Sequence, residues 1–148
     1  MIVTVFIENE AGSDEKHVHD EERLVLREVR RVSRPYPYPY GFLPGTAAED
    51  GCCLDCFVVT GRPARTGEVI ECVPLALLEQ VEDGRIDHNV LARRRDEAAA
   101  VTPEVVGRLR EFILHVFDHV EGKRIAVGEL RDAAAAEEWI RRARIPGR

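Results

Sequence analysis

The sequence predicts an α+β fold in which a small β-barrel or curved sheet carries helices on its outside. Three observations point there. The first two-thirds of the chain is a succession of short β-rich runs broken by turns, and the last third holds two segments with helical spacing. No internal repeat or linker divides the 148 residues, a length that suits one continuous core, so a single domain over 1–148 is expected.

The elements follow in order. Residues 2–8 are rich in β-branched side chains and read as a strand. Residues 23–32 place apolar side chains at 24, 26, 29 and 32; the change of parity between 26 and 29 predicts a bulge or a turn between two short strands. Residues 35–41, Pro-Tyr-Pro-Tyr-Pro-Tyr-Gly, form a stiff extended segment that would place alternate tyrosines on one side. Runs at 54–60 and 67–72 read as strands joined through a Gly61-Arg62-Pro63 turn, and 74–81 and 124–127 are further, less regular strand candidates. Thr102-Pro103-Glu104 combines an N-cap, a first-turn proline and an early acid. Val105, Leu109, Phe112, Ile113, Val116, Phe117 and Val120 then keep helical spacing up to Gly122. An alanine-rich segment predicts a second helix over roughly 130–143.

Composition narrows the function. A chain that is 45% hydrophobic and 32% charged can bury a core, which excludes wholesale disorder. Its formal charge of −6 argues against a nucleic-acid surface, which needs basic side chains to neutralise phosphates. No apolar run nears the ~20 residues of a membrane-spanning helix, and the N-terminal residues lack the marks of an export signal. The expected setting is therefore the cytoplasm, with the four cysteines as reduced thiols.

Two acidic turns carry the chemistry. Glu49-Asp50-Gly51-Cys52-Cys53-Leu54-Asp55 leads into a strand, and Glu82-Asp83-Gly84-Arg85-Ile86-Asp87 could complete a site from across a sheet. Asp50, Asp55 and Asp87 in one space would offer the oxygen donors that Mg²⁺ needs. Solvated turns built from Asp and Gly are the alternative reading. Tyrosine hydroxyls from 36–40 could donate to phosphate or bound water, although a rigid surface loop or a proline-rich ligand has the same composition.

Together these segments resemble the soluble family I inorganic pyrophosphatases. The resemblance runs through Glu8 to Ser13 with Lys16, then Tyr36-Pro37-Tyr38-Pro39-Tyr40-Gly41-Phe42-Leu43-Pro44. It continues through Ala48-Glu49-Asp50-Gly51-Cys52-Cys53-Leu54-Asp55, Thr66 to Pro74, and His115-Val116-Phe117-Asp118-His119. It implies a five-stranded, OB-like barrel with flanking helices and a homo-oligomer, a hexamer by resemblance. It also implies Mg²⁺-dependent hydrolysis of pyrophosphate or a related small diphosphate, with Mn²⁺ or Zn²⁺ as possible substitutes. By the same resemblance Asp50, Asp55 and Asp87 hold the tight metal, Glu82 helps bind a substrate-associated metal, and Glu8 acts through metal-bound water. Lys16, Tyr36 and Tyr40 fall on phosphate- or metal-facing positions. The phosphate-binding arginine aligns with Glu28, leaving Arg27 or Arg30 as its substitute, and Arg30 is the one expected to serve.

Several positions depart from the pattern. Cys52 stands where an aspartate helps deprotonate water, Cys53 replaces a proline, Asn89 a phosphate-binding lysine, Val120-Glu121 a Tyr-Lys pair, and Val18 a glutamate. A thiol beside carboxylates is a poor base. Binding of metal, phosphate or a protein partner without turnover is thus the competing expectation. Cys56 and Cys72 read as core thiols. His17 and His19 read as an exposed strand face, His115 and His119 as flanks of the first helix, and Trp139 as a helix-packing residue.

Overall fold

The computed structural model describes residues 1–147. Its strands are β1 (Val3–Asn9), β2 (Glu15–Asp20), β3 (Val25–Arg31), β4 (Tyr40–Leu43), β5 (Leu54–Val58), β6 (Val69–Glu82), β7 (Arg85–Ile86), β8 (Asn89–Arg94) and β9 (Ile125–Arg131); its helices are α1 (Pro103–His115) and α2 (Ala133–Ala143). Five strands close a ring in the order β1-β4-β5-β8-β6, with β6 returning to pair β1. All these pairings are antiparallel except β5 with β8. This ring is the expected barrel. Closure removes the free edges that an open sheet would expose.

Alternation along the strands builds two apolar layers. Val5, Ile7, Leu54, Cys56, Val58, Cys72 and Val90 face one cluster, which Ala136 and Ile140 of α2 help to build. Phe57, Leu78 and Leu91 face the other, which α1 covers with Leu109, Phe112 and Ile113. Thr102 caps α1 by accepting the Val105 N–H, and Asp132 caps α2 by accepting that of Ala135. Gly41 is required by a close approach: a Cβ there would lie 1.8 Å from the Phe6 carbonyl oxygen.

The structure redraws several boundaries. The candidates at 67–72 and 74–81 are one 14-residue strand, β6, that passes Pro74 with a register shift between Pro74 and Ala76. A bulge is where a strand tolerates proline's missing N–H. Residues 130–131 belong to β9, so the second helix begins at Ala133. β8 was hidden by its composition, since Asn89 and Arg94 are polar yet buried. The parity change at 26–29 is a bulge within one strand: Val18 faces Glu28 and His19 faces Leu26, leaving Arg27 as the extra residue. Strands β2 and β3 form a separate hairpin standing on β1, and every residue of β3 is exposed.

Candidate active site

Strands β4 and β5, the turn before β8 and the β2–β3 hairpin surround a cavity of about 640 Å³. Parallel pairing sets Asp55 of β5 opposite Asn89 of β8, which brings Asp87, just upstream, beside Asp55. The two carboxyls share a hydrogen bond, and the Tyr40 hydroxyl donates to Asp55. Burial, then the charge of Asp87, push the Asp55 carboxyl well above the usual carboxylate range. Ionising both carboxyls at once is thereby disfavoured. Asp50 lines the same cavity from an exposed turn, where its Oδ1 accepts the Cys52 N–H at 2.9 Å.

All ten candidate site residues line this cavity. Glu8 and Glu82 contribute further carboxylates, while Lys16 and Arg30 contribute cations from the hairpin. Glu8 Oε2 accepts the His19 backbone N–H at 3.0 Å and lies 3.2 Å from His19 Nδ1. Burial raises its carboxyl to about 7, against the lowering effect of the His19 bond and Lys16. Tyr36 and Tyr40 stack at 5.5 Å between ring centroids, and burial beside carboxylates raises both hydroxyls, so they remain donors. All three tyrosines pack with the α1 cluster, but only Tyr36 and Tyr40 also line the cavity. Cys52 lies at the cavity with its thiol raised, first by burial and then by Asp50 and Glu21. Burial raises Cys53 to about 12.

Other expectations are corrected. His19 is only 7% exposed, because its ring turns inward to Glu8 and meets Phe6 edge-on at 4.9 Å. Asn89 is buried, donating to Gln80 Oε1 at 2.6 Å, so its amide is engaged inside the barrel. Val120 and Glu121 are exposed and outside the cavity lining, while Val18 is part of it. Trp139 packs against the core but also reaches the cavity, where its ring stacks on His88 at 5.0 Å.

The hairpin and the segment before β9 add contributors, of which Glu21 and Lys123 have no signal in the sequence. Arg27 lines the cavity as the bulge residue, a position at which a strand commonly re-aims a side chain. Arg30 also lines it but is tied to Glu28 at 2.6 Å. Glu21, at the hairpin tip, reaches the metal-type loop and accepts the Cys53 N–H at 2.9 Å. Lys123 pairs with Glu82 at 3.2 Å. Arg27 stands beside Arg30 as a substitute for the phosphate-binding arginine, and the parity change at 26–29 is the local signal that sets it apart.

Among the described residues no group of three or more His, Cys, Asp or Glu side chains stands ready-assembled around one point. The donor set nonetheless fits a hard cation. Two half-buried carboxyls in contact carry more negative charge than their surroundings stabilise, and their hard oxygens are those that Mg²⁺ selects. Asp50 approaches from a turn and Glu82 from the end of β6. Among the described residues, no helix is long and apolar enough to cross a membrane.

Comparison with known proteins converges on one description. The family profile described as inorganic pyrophosphatase matches residues 5–145. An inorganic pyrophosphatase of Aeropyrum pernix is 33% identical over 96% of this chain and 88% of its own. One of Geobacillus stearothermophilus is 33% identical over 94% and 90%. The crystal structure of inorganic pyrophosphatase from Thermus thermophilus superposes with a TM-score of 0.86 at 27% identity, covering 96% of this chain and 88% of that one.

Proposed function

Because the chain belongs to the inorganic pyrophosphatase family, we propose that it hydrolyses inorganic pyrophosphate to phosphate in the β-ring cavity, with Mg²⁺ held by Asp55, Asp87 and Asp50. The observation that carries this reading is the Asp55–Asp87 carboxyl pair, hydrogen-bonded at the cavity, where burial and the neighbouring carboxylate hold Asp55 above its ordinary range. Asp55, Asp87 and Asp50 would hold a divalent cation that would supply Lewis acidity and neutralise phosphate charge.

The chain's own groups divide the remaining work. Lys16, Arg27 and Arg30 on the hairpin offer positive charge to a diphosphate. The guanidinium planes suit bidentate contact with phosphate oxygens. Tyr36 and Tyr40 keep their protons and donate hydrogen bonds. Glu8, at about 7, can accept a proton on its carboxylate near neutral pH. Cys52, with its thiol raised, cannot match an aspartate as a base.

Phosphate release from pyrophosphate with Mg²⁺, Mn²⁺ or Zn²⁺ tests the reading. Turnover is expected, falling at least ~100-fold in Asp55→Asn. No turnover with any of the three metals at high enzyme concentration would sink it. A second reading, binding without turnover, is favoured by Asn89 being engaged with Gln80 and by the raised Cys52 thiol. Cys52→Asp with Asn89→Lys separates the two: a large gain from a silent parent supports the second, and loss of an existing activity supports the first.

A further inference from the structure

Lys123 is a cation that the family resemblance leaves without a role. Its ammonium lies 3.2 Å from Glu82 Oε1 and 3.5 Å from Asp83 Oδ2, and 5.0 Å from the Phe117 ring centroid. Lys16 approaches the same ring, also at 5.0 Å. Glu82 and Phe117 line the cavity, so Lys123 stands behind its wall with its charge directed at the Glu82 carboxylate.

The position is built rather than incidental. Asp83 and Gly84 form a tight turn with positive φ at both residues, closing β6 onto β7. That turn is stitched to the segment before β9: the Asp83 N–H donates to the Arg124 carbonyl at 2.8 Å, and the Arg124 N–H donates to Asp83 Oδ1 at 2.9 Å. Glu82 itself faces Ile125 across the β6–β9 ladder. Two strands and a reciprocal pair of bonds therefore fix Lys123 next to Glu82. The ammonium and carboxylate are each about three-quarters buried, 26% and 25% exposed, so water and salt screen their attraction less than on an open surface.

We propose that the Lys123 ammonium serves as a built-in counter-cation on Glu82, occupying it in place of a divalent ion and thereby limiting how many such ions the cavity takes up. This rests on the reading that the cavity carboxylates bind divalent cations. An incoming ion at Glu82 must displace the ammonium from its carboxylate and then tolerate its positive charge a few ångströms away. Among the described residues no cation is ion-paired with Asp55 or Asp87, and Lys16 acts on Asp55 only at longer range, so the two ends of the cavity differ in metal affinity.

Mn²⁺ titration of the metal-free protein, followed by calorimetry and by electron paramagnetic resonance of free Mn²⁺, tests this without turnover. Wild type is expected to bind Mn²⁺ at the Asp55–Asp87 end and only weakly at Glu82. Lys123→Met should tighten the weak site about tenfold or more, Lys123→Arg should stay within a few-fold of wild type, and Glu82→Gln should abolish the gain from Lys123→Met. Circular dichroism checks that each variant is folded. Unchanged Mn²⁺ binding in Lys123→Met, or a gain that persists in the Glu82→Gln background, overturns the proposal. If wild type and Lys123→Met both bind no Mn²⁺, the failure is that of the cavity as a divalent-cation site, and the proposal falls with it.

Discussion

At residue scale, Gly41 shows how a single atom decides whether the cavity exists. It lies between β1 and β5, pairing Ile7 on one side and Cys56 on the other, with no room for a Cβ before the Phe6 carbonyl. Gly41→Ala should therefore cost about 3 kcal/mol or more, read as a lower urea midpoint, since the obstacle is backbone and cannot rotate away. The resemblance marked this glycine as part of a tyrosine-rich motif, but its physical reason is strand crowding. Other residues were less legible. Asp50, Asp55 and Asp87 could be picked from acidic turns, yet nothing in their spacing says that two of them touch. That contact depends on a parallel pairing that sets Asp55 opposite Asn89, far along the chain. His19 looked exposed because it shares a strand face with His17 beside Lys16; only Glu8 of β1 explains its inward turn.

At element scale, the β2–β3 hairpin is held to the barrel by few bonds. Near its base, Asn9 Oδ1 accepts the His17 N–H at 2.6 Å and Glu8 accepts that of His19. At its tip, Glu21 accepts the Cys53 N–H. The tip bond links a cation-bearing hairpin to the loop carrying Asp50. Glu21→Ala removes a charged acceptor, a contact worth ~1.5–3 kcal/mol. Exchange of the Cys53 amide should then accelerate at least about tenfold while amides of β5 and β8 keep their protection; equal exchange in both proteins would count against the latch. Neither latch nor hairpin orientation was readable beforehand, because a side chain bonded to a backbone 32 residues away leaves no periodic trace. The strands themselves were readable where β-branched residues dominate, as in β1. They were missed where polar side chains are buried, as in β8, and misdivided where a bulge lets Pro74 sit inside β6.

At the scale of the whole molecule, stability reports the protons that the buried carboxyls hold. Glu8 moves from an ordinary 4.5 to about 7 on folding, so the folded state holds its proton more tightly than the unfolded chain. That contribution is full below about 4.5 and is lost as pH rises through about 7, up to about 3 kcal/mol. Asp55 acts in the same direction. The metal-free protein should lose Tm between pH 5 and 8, and Glu8→Gln should flatten that slope; a wild-type Tm that rises steadily across the window would contradict the assignment. On the proposed function Mg²⁺ takes the ionised carboxylates, so its stabilisation should grow with pH. Trp139, the chain's one tryptophan, stacks on His88 next to Asp87. Its fluorescence should change on Mg²⁺ addition, with the change lost in Asp87→Asn.

The parallel β5–β8 pair also governs how the molecule comes into being. Every other pairing in the ring is antiparallel, and β5 meets β8 only after β6 has been laid down between them in the chain. Closing this pair spans a long loop, so it belongs with the slow, non-local events of folding. Asp55 and Asp87 meet at the same closure. A half-folded chain therefore has no carboxyl pair to offer, and a cation that binds the finished pair acts chiefly by slowing unfolding rather than by guiding the search.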